Sequence, residues 1–171
     1  LLGAAVSALQ RRGVGALTLE AVAREAGVSK GGLLHHFPSK DALSEAVLRQ
    51  LFGDFERRTE AYYDLEPPGP GRWLRAYVRA TYEENPLPLE LATALLVAVS
   101  ENPRLLGLIR EDAEGWQVRL ADDGLPPARA TVIRQAADAA WTERLVGPAY
   151  DTPSARREVM HELLRLARGD P

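Results

Sequence analysis

Along nearly the whole chain the apolar positions return every three or four residues, while the two-residue alternation of a half-buried strand is almost absent. The fold class this predicts is all-α. The first stripe, Leu1, Leu2, Val6 and Leu9, predicts a helix from about Leu1 to Arg12 that stops at Gly13. Thr18 stands as the N-cap of a short helix, Leu19 to Ala26. Glu20 lies in its first turn, where the helix dipole favours an anion. Gly27 ends that helix. Ser29 caps a third short helix from Lys30 to about His36, and Pro38 cannot continue it. Ser39 then caps a long fourth helix from Lys40 to about Asp64.

The run Glu66-Pro67-Pro68-Gly69-Pro70-Gly71 reads as a loop. A fifth helix is expected from Arg72 to Glu84, stopped by Asn85-Pro86, and a sixth from Leu89 to Ser100. The sixth is apolar on nearly every side, which predicts that other helices surround it. A seventh carries the stripe Leu105, Ile109, Ala113, Trp116 and Leu120. After the break Asp123-Gly124-Leu125-Pro126-Pro127, two more helices are expected, about Ala128 to Val146 and Ser154 to Arg168.

Two short helices joined by a glycine-containing turn, the second opening with Ser and Lys, form a helix-turn-helix candidate. Ala26 is small where the two helices cross at close range. Gly27 supplies the positive φ of the turn. Val28 is expected to anchor the turn to the core. Leu19, Val22, Leu33 and Phe37 are expected to hold the pair against the first and fourth helices. The remaining face of the second short helix is then free for the major groove, which admits one helix.

The run LTLEAVAREAGVSKGGLLHHFPSKDAL resembles the DNA-binding signature of the TetR family of bacterial regulators over about residues 1–50. The likeness lies in Thr18 capping the second helix, Ala-Gly-Val-Ser at the turn, Gly31 in the recognition helix, His36-Phe37 at its end and Lys40 opening the fourth helix. It implies a helix-turn-helix DNA-binding domain, residues 1–50. A long fourth helix would join it to a helical dimerisation and ligand-sensing domain, residues 51–171. By position, Thr18 and Lys40 stand where the family contacts phosphates, at helix N-termini that favour anions. Ser29, Lys30, Gly31, Gly32 and His35 would face DNA, with Lys30 reaching a guanine edge or a phosphate. His36 is expected to pack against the first or fourth helix instead. Leu34 stands where the family commonly has Tyr. It cannot donate a hydrogen bond, and an apolar contact, as to a thymine methyl, would replace one phosphate contact. Gly31-Gly32 costs about 1 kcal/mol per glycine relative to alanine in a helix. Two readings of the pair stay open: a weakly formed recognition helix, and close backbone approach to DNA.

Composition narrows the classes without changing this reading. Of 171 residues 46% are hydrophobic and 26% charged, the balance of a soluble globular protein. The absence of cysteine excludes disulfides and thiolate chemistry. Net charge is -3, yet residues 1–52 carry six cations against four anions, a basic head on an acidic body. No apolar run of about 18 residues predicts a membrane span. The opening stretch lacks a basic leader and has helical spacing, so a cytoplasmic protein is expected. The missing Met suggests that the natural N-terminus lies upstream. Of the three histidines, His35 and His36 lie in the reader and His161 stands alone. No nucleophile-His-acid set, phosphate-binding glycine loop or metal-spaced cluster is visible, and Asp122-Asp123 reads as a helix terminus and turn. No enzyme activity, metal or cofactor is therefore expected.

The expected partners are double-stranded DNA carrying a palindromic operator, a second copy of the chain, and a small apolar effector that releases the operator. A two-fold dimer would set two recognition helices about 34–36 Å apart. Small residues on the eighth helix and the three- and four-residue spacing on the ninth make Val132, Ala136, Ala140, Val159, Leu163 and Leu166 the candidate seam, the alternative being that these faces pack only inside one chain. Tyr62, Trp73, Tyr77, Tyr82 and Trp116 are the candidate effector contacts, since aromatics with a polar tip line apolar pockets; the alternative reading of each is an ordinary core residue. Repression and activation differ in where the operator sits, not in the chain. The rival reading is a helical interaction or architectural module that binds DNA non-specifically.

Overall fold

The computed structural model describes residues 1–12, 18–83, 89–146 and 152–169. Among them it contains nine helices: α1 (Leu2–Arg12), α2 (Leu19–Ala26), α3 (Lys30–His36), α4 (Lys40–Leu65), α5 (Arg72–Tyr82), α6 (Leu89–Glu101), α7 (Pro103–Ala121), α8 (Pro127–Val146) and α9 (Pro153–Ala167). Gly13 and Asn85-Pro86, read as helix stops, lie outside the described residues, as does the side chain of Leu9. No single described helix is long and apolar enough to cross a membrane.

Packing divides the chain into two units, Leu1–Gly53 with Leu87–Glu111, and Asp54–Pro86 with Asp112–Pro171. A boundary at residue 50 would put all of α6 and α7 in the second body. Instead α6 and the first part of α7 pack with the reader. Ala94 of α6 joins Ala5, Ala8, Val22, Leu33, Leu43 and Val47 in one apolar cluster. Ala98 and Leu105 close on Leu48 in another. A domain of about 50 residues buries too little surface to be comfortable alone, and the added helix enlarges its core.

In the first unit Val22, Leu33, Leu43 and Val47 are wholly buried, and Leu19 and Phe37 pack partly buried against them. Each such burial contributes about 1.5–3 kcal/mol. This holds the α2–α3 pair against α1 and α4. Gly27 adopts φ 67° and its N–H donates to the carbonyls of Ala23 and Arg24. Val28 does not anchor the turn as expected: it is 39% exposed. Its backbone N–H donates to Ala23 O at 3.0 Å, so the main chain fixes the turn without the side chain.

The second unit is built on α5, which packs against both α8 and α9. Leu74, Arg75, Ala76, Tyr77, Val78, Ala80 and Thr81 are all buried. So the helix surrounded by others is α5, whereas α6 leaves Leu96 53% and Val97 36% exposed. Burial of Arg75 is tolerated because its charge and donors are satisfied. Its Nε donates to Glu66 at 2.7 Å, and its two Nη donate to the carbonyls of Pro70 and Pro67, each at 2.7 Å. Glu66 also accepts from Arg79 Nε at 2.5 Å. Burial pushes the Glu66 carboxyl up, but the hydrogen bonds and charges of the two arginines outweigh it and hold the group below its ordinary range. The head of α5 is fixed from a distance: Asp123 accepts from the backbone N–H of Trp73 at 2.9 Å and of Leu74 at 2.8 Å. The turn acid is thus a helix cap. Gly71, at φ 74°, approaches the end of α9 so closely that a Cβ would lie 2.0 Å from Ala167 O.

Candidate nucleic-acid interface

Three hydroxyls set the helix starts of the reader. Thr18 Oγ1 accepts from Ala21 N at 3.2 Å, Ser29 Oγ from Gly32 N at 3.0 Å, and Ser39 Oγ from Ala42 N at 3.1 Å. Each cap satisfies one of the orphan donors of a helix N-terminus and fixes where the next residues stand. Thr18, Ser29, Lys30, Gly31, Gly32, His35 and Lys40 are all exposed in the first unit, and Leu34 is half-buried. Around Gly31 the nearest atom to a notional Cβ is Ser29 Oγ at 3.9 Å, and at Gly32 the same atom lies at 3.3 Å. The outer surface of α3 is therefore bare backbone beside one lysine and two histidines. His36 is exposed rather than packed on α1 or α4, its ring edge-to-face with His35 at 5.8 Å. Phe37 takes the inward place beside it.

Both lysines of this surface are held by carboxylates. Lys30 pairs with Glu20 of α2, and that ammonium holds the Glu20 carboxyl below the ordinary carboxylate range. Lys40 Nζ donates to Glu101 Oε2 at 2.8 Å. Neither carboxylate was a candidate from sequence. Glu20 was legible only as a dipole-favoured first-turn acid, and Glu101 stands 61 residues from its partner.

The expected effector contacts come together in the second unit as a packed aromatic centre. Tyr77 and Trp116 meet edge-to-face at 5.0 Å, and Phe55 touches both, at 5.0 and 5.7 Å. Tyr62, Trp73 and Tyr82 are partly buried against this cluster. Phe55 and Trp141, 5.8 Å apart, belong to it as well. Aromatic residues on α4 and α8 were the signal that could have found them. The centre has a polar edge. Tyr77 OH donates to Asp138 at 2.6 Å, and Arg134 reaches the other oxygen of the same carboxylate at 2.6 Å. Burial and the Asp138 charge push the Tyr77 hydroxyl up. Asp112 is pushed up to about 6 by burial and by the negative charges of Glu56 and Asp138, against the opposing charge of Arg119. A separate cleft of about 630 Å³ is lined by Glu66, Arg75, Arg79, Glu83, Arg168 and the 67–70 loop. Of the five expected aromatics only Tyr62 borders it, and its walls mix these charged groups with Leu65 and the prolines of the loop.

The candidate seam residues separate by burial. Val132 is 59% and Val159 45% exposed, Ala136 and Leu166 are half-buried, and Ala140 and Leu163 are buried inside the second unit. Ala140 and Leu163 are therefore taken by the chain's own core. A three- and four-residue stripe marks a packing face without telling an internal face from an external one.

Residues 1–47 match the family described as "Bacterial regulatory proteins, tetR family", and residues 71–168 match "Tetracyclin repressor-like, C-terminal domain". The chain is 28% identical over 169 residues to the HTH-type transcriptional regulator BetI of Burkholderia thailandensis, an alignment covering 91% of this chain and 85% of that one. Among solved structures it resembles a transcriptional regulator from Rhodococcus sp. with a TM-score of 0.78 at 22% identity, covering 98% of this chain and 94% of the other. It also resembles a putative transcriptional regulator from Pseudomonas aeruginosa with a TM-score of 0.76 at 22% identity, covering 98% and 86%.

Proposed function

Because the chain belongs to the TetR family of bacterial DNA-binding transcriptional regulators, we propose that it is a homodimeric repressor released from a palindromic operator by a small apolar effector. The observation that carries this reading is the reader surface itself. Capped α2 and α4 put Thr18 and Lys40 at helix starts, where a phosphate is favoured, and α3 offers Ser29, Lys30, Gly31, Gly32 and His35 outward. Lys30 and His35 read base edges or phosphates. Leu34, half-buried, makes the apolar contact that stands in for a tyrosine. The two glycines allow the backbone of α3 to come close to the groove.

Dimerisation runs through the outward faces of α8 and α9, where Val132 and Val159 are exposed and Ala136 and Leu166 are half-covered. The effector is held at the aromatic centre around Tyr77 and Trp116, with Tyr62, Trp73 and Tyr82 at its border. To release DNA it must bind better to a conformation in which the two recognition helices are wrongly spaced. α4 is covalently continuous from Lys40 to Leu65, so it is the natural carrier of that change. Action in the cytoplasm follows from the same reading.

The test is selection of random duplex DNA on the purified protein at near-physiological salt. Enrichment of a two-fold palindrome with half-sites about ten base pairs apart is expected. A well-folded protein that enriches no sequence would overturn the reading in favour of a non-specific binder.

A further inference from the structure

Lys30 and Lys40 are the only lysines among the chain's 21 basic residues, and both lie in the reader. Each is held by a carboxylate from another helix, Glu20 of α2 and Glu101 of α6. The second pair is the more consequential, because Glu101 is the last residue of α6. Glu101 follows Ala94 by seven residues and Ala98 by three, so the three share a helix face. Ala94 and Ala98 are buried in the unit's two apolar clusters. The packing of α6 thus sets where the Glu101 carboxylate stands. On the other side, the Ser39 cap sets where α4 begins and hence where Lys40 stands.

We propose that Glu101 is a carboxylate guard on the DNA face: it competes with a DNA phosphate for the Lys40 ammonium. The proposal rests on the reading of Lys40 as a phosphate contact. In the free protein the ammonium is engaged at 2.8 Å. On DNA, a phosphate must take it from Glu101 or share it, and sharing brings two anions together. Both side chains are about half exposed, 48% and 55%, so the pair is weak and exchangeable, as a guard requires. A lysine suits the task better than an arginine, whose planar fork would grip a carboxylate in two places. Two consequences follow. The guard lowers affinity for every duplex alike, since phosphate contacts carry no base information. The strength of the Lys40 contact also depends on where α6 holds its last residue, so any displacement of α6 alters DNA affinity.

The test uses the full chain and a random-sequence duplex, with binding measured by fluorescence anisotropy over a range of salt. Glu101→Gln should bind about two- to five-fold tighter at low salt, the range set by a competing exposed ion pair. Its plot of log affinity against log salt should be steeper by up to about one per protomer, because no freed carboxylate takes up a cation as DNA binds. The gain should vanish in Lys40→Ala/Glu101→Gln relative to Lys40→Ala alone, and Glu101→Asp should remain close to the parent. If Glu101→Gln leaves affinity and slope unchanged while Lys40→Ala weakens binding, the guard is refuted and the phosphate contact stands. A gain that survives in the double variant also refutes the guard, since the effect would then be general repulsion. If Lys40→Ala changes nothing, the phosphate reading itself falls, and the guard with it.

Discussion

Replacing Asp112 with asparagine is expected to stabilise the second unit at neutral and alkaline pH and to flatten its pH dependence. Asp112 is half-buried, beside the negative charges of Glu56 and Asp138, with Arg119 opposing them. Its pKa rises from 3.8 to about 6. A group whose folded-state pKa lies above its unfolded value binds its proton more tightly in the folded chain. Its ionisation therefore costs stability. That cost is full above about pH 6 and fades as pH falls toward 3.8. The rise corresponds to about 3 kcal/mol at most, and solvent screening of a half-buried site reduces it to about 1–2 kcal/mol. Asparagine keeps the shape and removes the charge. Urea unfolding monitored by circular dichroism at about pH 8 and about pH 5 measures the effect. At the higher pH the variant should gain about 1–2 kcal/mol over the parent, and at the lower pH roughly half as much. An equal gain at both values, or none at the higher, would refute the electrostatic reading.

Further outcomes follow from other sites. Gly71→Ala should lower Tm by about 5–15 °C in a thermal melt, because it combines a positive φ with a Cβ 2.0 Å from the Ala167 carbonyl; a shift below about 2 °C would show that α9 yields easily. Val132→Arg and Val159→Arg, both at exposed positions, should reduce the mass by sedimentation to that of a monomer without loss of helicity. A dimer unchanged by both would place the interface elsewhere. Leu163→Arg is expected instead to unfold the second unit, since Leu163 is buried in its core. Gly31→Ala meets no atom closer than 3.9 Å and should raise helix stability by about 1 kcal/mol while weakening operator binding in a gel-shift assay. Operator affinity kept at the parent value would leave close backbone approach without support.

Interactions between neighbours a few residues apart are readable along the chain. Thr18, Ser29 and Ser39 cap the helices expected of them, and Gly27 takes the positive φ of the turn, because each of these interactions closes within three or four residues. The inward set Leu19, Val22, Leu33 and Phe37 was legible for the same reason, as helical periodicity states which face turns in. Which groups distant in the chain meet is set by how the helices pack. Arg75 could be buried because Glu66 and three carbonyls, those of Pro67, Pro70 and Ala167, stand around it. Asp123 became the cap of α5 across about fifty residues. Ala140 and Leu163 went to the chain's own core while Val132 and Val159 stayed outside, a choice that the shared stripe leaves open. The pairing of Lys40 with Glu101 belongs to this second kind. Periodicity records that a residue faces something, and only the packed chain supplies what it faces.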